Sequence, residues 1–309
     1  YQPNMKELYD TLKEYDLKPK SYQKLGKAIL VGTNNGHKYV VKEKVRDNNT
    51  NIYKYLESRS FNYYPKILSN EMDDYEITEY VEETPMPDEQ KMTDMIDLLA
   101  LLHNKTTFYK EVDEADYKKI YEDVSNNIEY LFSYYNDLIT IIDSKVYMSP
   151  SEYLLARNIT KIFSALAFCK EEIKKWFDLV KDKKKQRLVV LHNNLGLDHF
   201  LKNKNSYLIS WNKSRIDIPI FDLYKLYRKQ GLDYDFETIL KHYESHYPLL
   251  KEERKLFFIL SSLPNKIEFN KTEYEMCRSI SREIDLLYKT EKLMSPYYSE
   301  NEKENKYSK

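Results

Sequence analysis

The fold turns on the stretch Val189-Val-Leu-His-Asn-Asn-Leu-Gly-Leu-Asp-His-Phe-Leu201. An apolar run, Leu188 to Leu191, ends at His192, and a second, Phe200-Leu201, opens eight residues later, so the stretch reads as strand, loop, strand. The loop between them carries His192, Asn194, Asp198 and His199. A turn rich in Asn and Lys, Lys202 to Ser206, leads into a further strand, Tyr207-Leu-Ile-Ser-Trp211, which holds Ser210. Next comes Asp217-Ile-Pro-Ile-Phe-Asp-Leu223, in which Asp222 opens a helical segment.

The rest of the chain narrows the classes of function. At 309 residues with a formal net charge of −1, it is long enough for one two-lobed domain or two small ones. The balanced charge gives no reason to expect a nucleic-acid or membrane-surface binder. Five glycines are too few to favour a glycine-dependent phosphate loop. Cys169 and Cys277 have no metal-ligand spacing and fall in helical patterns, which suits small core residues in a reducing compartment. The longest apolar run, Leu98 to Leu102, falls far short of the ~18 residues that span a bilayer, so a soluble, cytoplasmic protein is expected. The first residue is Tyr1 rather than Met, which leaves room for a trimmed N-terminal address.

Periodicity divides the chain at Glu82-Glu-Thr-Pro-Met-Pro87, a hinge that breaks both strand and helix patterns. Before it, Met5 to Tyr15 reads as an amphipathic helix. Strands are expected over four ranges, Ser21 to Val31, Tyr39 to Lys44, Tyr64 to Leu68 and Tyr75 to Val81, which together are read as five strands around one helix capped by Thr50, with Thr33 to Gly36 as a hairpin turn. After it the chain is mostly helical. The stripe Tyr121, Val124, Ile128, Leu131, Tyr135, Leu138 and Ile142 alternates three and four without a slip, and Ser149-Pro-Ser-Glu152 is a capping box that starts the next helix. The expected organisation is a small lobe over 1–81, a hinge over 82–87, a helical lobe over 88–296 and a disordered polar tail over 297–309.

Several stretches in this order carry a resemblance: Leu17-Lys-Pro-Lys-Ser-Tyr22, Tyr39-Val-Val-Lys42, Leu98-Leu-Ala-Leu-Leu-His103, the His192 segment, Tyr247-Pro-Leu-Leu250 with Glu252, and Leu263-Pro264. Together they resemble the spore coat protein S-like kinase family, within the aminoglycoside and choline phosphotransferases of the protein-kinase-like superfamily. The resemblance implies an α+β, bilobal kinase-like fold, with a small antiparallel sheet and one helix ahead of a large helical lobe. It also assigns positions. In the kinase loop H-x-D-x-x-x-x-N the Asp receives the proton of the attacking hydroxyl and the Asn holds magnesium; here these are Asn194 and His199. Ser210 stands where the main magnesium-binding Asp is placed, His192 scaffolds the loop, and Asp222 braces it from beneath.

A neutral Asn194 cannot serve as the base, and His199 and Ser210 are poor ligands for a hard cation. The resemblance therefore implies a pseudokinase that acts by binding, either as a scaffold with a coat or envelope protein or as a regulator of an active relative, in the cytoplasm or the spore coat. No cofactor is expected, or only weak binding of ATP and magnesium. The alternative is an atypical ATP-dependent phosphotransferase acting on a small-molecule or protein hydroxyl, with Asp198 as substitute ligand. Lys42 reads either as the phosphate-pairing lysine or as a solvent-facing strand lysine. Its helix carboxylate is in doubt, because the aligned position is near Asn51 and the helix's Glu57 comes a turn and a half late. Glu79 and Val81 would offer backbone groups to an adenine ring, or border an empty hinge. His242 and His246, four apart, have zinc-compatible spacing but lack the motif around it; His103 suits a helix end, and Lys181 to Lys185 a solvated loop.

Overall fold

The computed structural model describes residues 4–44 and 52–307, with 299–307 as backbone only. The chain forms two compact units, one of Tyr1–Thr106 and His192–Arg215, the other of Thr107–Leu191 and Ile216–Lys309. The first begins with α1 (Met5–Glu14), whose first turn is capped by Asn4. Strands β1 (Pro19–Leu25), β2 (Ala28–Thr33) and β3 (Lys38–Glu43), helix α2 (Ile52–Ser58), strand β4 (Tyr75–Glu79) and helix α3 (Asp88–Thr106) follow. The second unit then takes β5 (Phe108–Glu111), α4 (Glu114–Asp143), α5 (Pro150–Val180) and β6 (Lys185–Leu191). A short hairpin, β7 (Phe200–Lys202) and β8 (Ser206–Leu208), returns to the first unit; β9 (Arg215–Asp217) leads out to α6 (Ile220–Gln230), α7 (Phe236–His246), α8 (Lys251–Ser262) and α9 (Glu273–Tyr307).

In the first unit β1 to β4 make an antiparallel sheet in sequence order. Alternation decides its faces. Val31, Val41, Tyr75 and Ile77 point one way and close over Leu8 and Leu12 of α1, a buried cluster in which each leucine contributes about 1.5–3 kcal/mol. Lys42 and Glu76, one residue out of phase, belong to the opposite face. The expected run Ser21 to Val31 is two strands, because Gly26 turns the chain at φ +60°, and Leu25 pairs with Ala28 across a two-residue loop. Close approach explains another glycine: a Cβ at Gly32 would lie 2.5 Å from Ser21 Oγ. The Thr33 to Gly36 turn forms as expected, with the Gly36 amide donating to the Thr33 carbonyl at 3.1 Å.

The sheet has four strands rather than five. Tyr64 to Leu68 contributes only an isolated bridge, Ile67 to Thr78, since Pro65 has no amide to donate to a ladder. The Thr50 cap expected for α2 lies outside the described residues. Compactness also groups the chain differently from a boundary at 82–87. The Thr84 amide donates to the Lys202 carbonyl at 2.9 Å, and Lys202 approaches Asp94 of α3 at 3.8 Å, so α3 and the β7–β8 hairpin fall in one unit.

In the second unit α4 and α5 run side by side, with β5, β6 and β9 forming a small sheet. All seven residues of the expected α4 stripe are buried or half-buried. The capping box is present: Ser149 Oγ accepts from the Glu152 amide and Glu152 from the Ser149 amide, with Pro150 in the first turn. Cys169 is buried among the helices and its thiol donates to the Ile259 carbonyl at 3.4 Å, while Cys277 is half-buried. Helix α9 continues to Tyr307, across the segment expected as a polar tail. Tyr297 packs on Phe258 with ring centroids 5.2 Å apart, and the Tyr298 hydroxyl donates to Glu172 at 2.8 Å. Two aromatic side chains in a polar segment thus find partners on α8 and α5. No described helix is long and apolar enough to cross a membrane.

Candidate functional site

His192 begins the loop and is buried. Its Nε2 lies 2.8 Å from the Ile209 carbonyl oxygen, so this nitrogen carries the proton and donates. The ring meets the edge of Trp211 at 4.7 Å, and the Trp211 indole donates to the Leu208 carbonyl at 2.8 Å. Asn193 sits in the left-handed region at φ +62°, a conformation asparagine tolerates, and its amide donates to the Lys213 carbonyl at 2.8 Å. These contacts are structural. They fix the loop's start to its end.

Asn194, His199 and Ser210 meet within the same unit. The Asn194 side-chain amide donates to the Ser210 carbonyl over a long 3.4 Å. His199 Nδ1 donates to the Asn194 carbonyl at 2.7 Å, which leaves Nε2 facing Asp198 at 3.5 Å. The His199 carbonyl accepts from the Ile209 amide at 3.0 Å, one residue before Ser210. Ser210 itself is left-handed, at φ +65°. Asp198 is 64% exposed, a surface acid at the loop's edge.

Lys42 is half-buried on β3, directly opposite Glu76 on β4. A cavity of about 150 Å³ is lined by Lys42, Tyr53, Ser69, Glu76, Ser210 and Trp211, among others. Lys42 of the sheet and Ser210 therefore share one cavity. Glu76 is the acid that sequence reasoning missed. Its Oε2 accepts from the Tyr53 hydroxyl at 3.3 Å, and Tyr53 packs against Tyr64 at 4.9 Å. Burial pushes the Glu76 carboxyl above its ordinary range, while the Tyr53 hydrogen bond and the positive charges of Lys42 and Lys44 pull it back. The alternation in Tyr75-Glu-Ile-Thr-Glu79 could have placed Glu76 on the face opposite Ile77, but only the strand register puts it across from Lys42.

Other expected residues lie elsewhere. Glu57 is exposed on α2, and Asn51 lies outside the described residues. Glu79 ends β4, its amide donates to the Lys66 carbonyl at 2.9 Å, and neither it nor Val81 lines the Lys42 cavity. Asp222 is fully buried in the first turn of α6, in the second unit. His103 is buried near the end of α3; His242 and His246 stand ring against ring on α7, 5.3 Å apart. In the basic loop, Lys181 pairs with Asp178 at 2.9 Å and Lys183 with Glu252.

The sequence matches no protein-family model and no curated protein. Solved structures do match. An aminoglycoside phosphotransferase from Alicyclobacillus acidocaldarius aligns with a TM-score of 0.71 at 12% identity, over 94% of this chain and 95% of that one. Spectinomycin phosphotransferase APH(9)-Ia, in complex with ADP and spectinomycin, aligns with a TM-score of 0.56 at 13% identity, over 94% of this chain and 99% of that one. Its AMP-bound complex gives 0.55 at 14% identity over 94% of each chain. With its small antiparallel sheet and larger helical part, this chain has the kinase-like fold of the aminoglycoside phosphotransferases.

Proposed function

We propose that the protein is a kinase-like binding protein that does not carry out magnesium-dependent phosphoryl transfer, and that it serves a spore-coat or cell-envelope assembly through a protein partner. One observation carries this reading: Asn194, His199 and Ser210 hold one another through side-chain and backbone hydrogen bonds and present no carboxylate. Magnesium favours several hard oxygen ligands in an octahedral shell. An amide nitrogen turned to a carbonyl, an imidazole already donating and a neutral hydroxyl do not fit that ion. Without an acid at Asn194 the loop also lacks a group to take the proton of an attacking hydroxyl, a role worth about 10²–10⁴ in rate. Asp222, buried in α6, is assigned to bracing rather than chemistry.

The second reading is an atypical ATP-dependent phosphotransferase acting on a small-molecule or protein hydroxyl. It draws on Lys42, which stands opposite Glu76, and on Asp198, whose carboxylate lies 3.5 Å from His199 Nε2. Melting temperature with millimolar ATP, with and without magnesium, separates the two. Little or no rise, with no added effect of magnesium, is expected. A large magnesium-dependent rise, or steady ADP release with an alcohol acceptor, would overturn the binding-protein reading.

A further inference from the structure

A lysine that is to hold an anion in a partly dry cavity needs a fixed counter-charge, or its long side chain wanders and its ammonium hydrates. The helix after β3 does not offer one among its described residues: its acid, Glu57, is exposed. We infer that Glu76, on β4, is the positioning residue that fixes the Lys42 ammonium in the cavity, replacing a carboxylate from the helix. The inference rests on the second reading above, in which Lys42 takes part in holding a phosphate.

Several features converge on Glu76. Register puts it directly opposite Lys42 in an antiparallel pair, where Cβ atoms stand roughly 4.5–5.5 Å apart and opposite charges attract. The Tyr53 hydroxyl orients the carboxylate at 3.3 Å, and the Tyr64 hydroxyl reaches the Tyr53 carbonyl at 3.5 Å to hold that ring in turn. The remaining cations nearby are committed: the Lys44 ammonium donates to the carbonyls of Asn70 at 2.5 Å and Glu71 at 3.3 Å, and Lys54 pairs with Glu71 at 2.7 Å. Glu76 is also expensive to keep. Its burial raises the cost of its charge more than Lys42, Lys44 and Tyr53 recover, whereas a threonine or valine on that strand would carry no such penalty. A carboxylate retained at a cost to stability marks a functional position.

The test uses the unliganded 309-residue chain, so it is independent of whether nucleotide binds. The Glu76 side-chain carboxyl is titrated by ¹³C NMR in the parent, K42M, K42R and E57Q. The midpoint is expected to rise in K42M, to return to the parental value in K42R, and to stay put in E57Q. A midpoint indifferent to K42M, or moved by E57Q, overturns the assignment. Thermal melts of E76Q give a second arm that does not require the lysine variants to fold. Because the folded-state pKa of Glu76 is raised, its charge subtracts stability as pH climbs above the unfolded value, so E76Q should melt at or above the parental temperature at pH 7. A clear loss of melting temperature there would make Glu76 a structural residue and refute the proposal.

Discussion

Buried charges show most directly how single residues decide the energetics. In the second unit Arg187 and Glu253 are 10% and 5% exposed; Arg187 Nε donates to Glu253 at 3.2 Å, and the Leu250 amide donates to the same carboxylate at 2.8 Å, starting α8. Removing one partner strands the other, so Glu253→Ala should lose about 3–5 kcal/mol in urea denaturation, while a paired apolar replacement of both should lose far less. Asp222 is completely buried, and a buried acid survives by accepting from donors that cannot reach water. Asp222→Ala should therefore lose about 1–3 kcal/mol by the same measurement. A variant that unfolds with the parent would remove Asp222 from the bracing role. Ser210 is less costly to change, because it adopts a left-handed conformation that Asp also tolerates.

Among the elements, α9 is the one whose extent depends on contacts far away in sequence. Residues 297–309 are polar enough to read as a tail, yet Tyr298 donates to Glu172, a carboxylate that also receives Lys175 at 2.8 Å and Lys255 at 2.7 Å. Burial works against the Glu172 charge, but these three donors outweigh it and hold the carboxyl below its ordinary range. A depressed pKa contributes stability that is present above the unfolded value of about 4.3 and is lost as pH falls through the folded one. Glu172→Gln should thus be less stable than the parent at pH 7, with the gap closing as the medium is taken below about pH 4. Tyr298→Phe should lose about 0.5–1.5 kcal/mol and raise amide exchange along the end of α9. Helix α4, by contrast, was readable from its stripe alone, because a 3.6-residue period is a property of neighbours.

At the scale of the whole molecule, the fold of a phosphotransferase and the means of phosphoryl transfer are separable. The β1–β2 turn, Gly26-Lys27, carries a single glycine, where a glycine-dependent phosphate loop uses several. Restoring acids at the loop addresses only part of this. The triple variant Asn194→Asp, His199→Asn and Ser210→Asp should therefore show little ADP release with magnesium and ATP, since positioning alone accounts for several kcal/mol of a barrier and each ~1.4 kcal/mol is tenfold in rate. Robust turnover by the variant, with none by the parent, would mean that the phosphate-holding parts are intact and only the loop's acids are missing.

The sequence by itself determined whatever depends on adjacent residues. The strand–loop–strand around His192, the turn at Thr33 to Gly36, the Ser149 capping box and the α4 stripe were all legible, since dihedral preference and period are local. The co-location of Lys42 and Ser210 followed from a resemblance in the order of such pieces. Only the tertiary structure decided that Glu76 rather than Glu57 faces Lys42, that Tyr64 to Leu68 is a single bridge, and that α9 runs on past Tyr298. Strand register, burial and the partners of an aromatic side chain are set by segments tens of residues apart. A one-residue slip between β3 and β4 would leave every local preference unchanged and send Glu76 to the other side of its partner strand's pattern, away from the lysine.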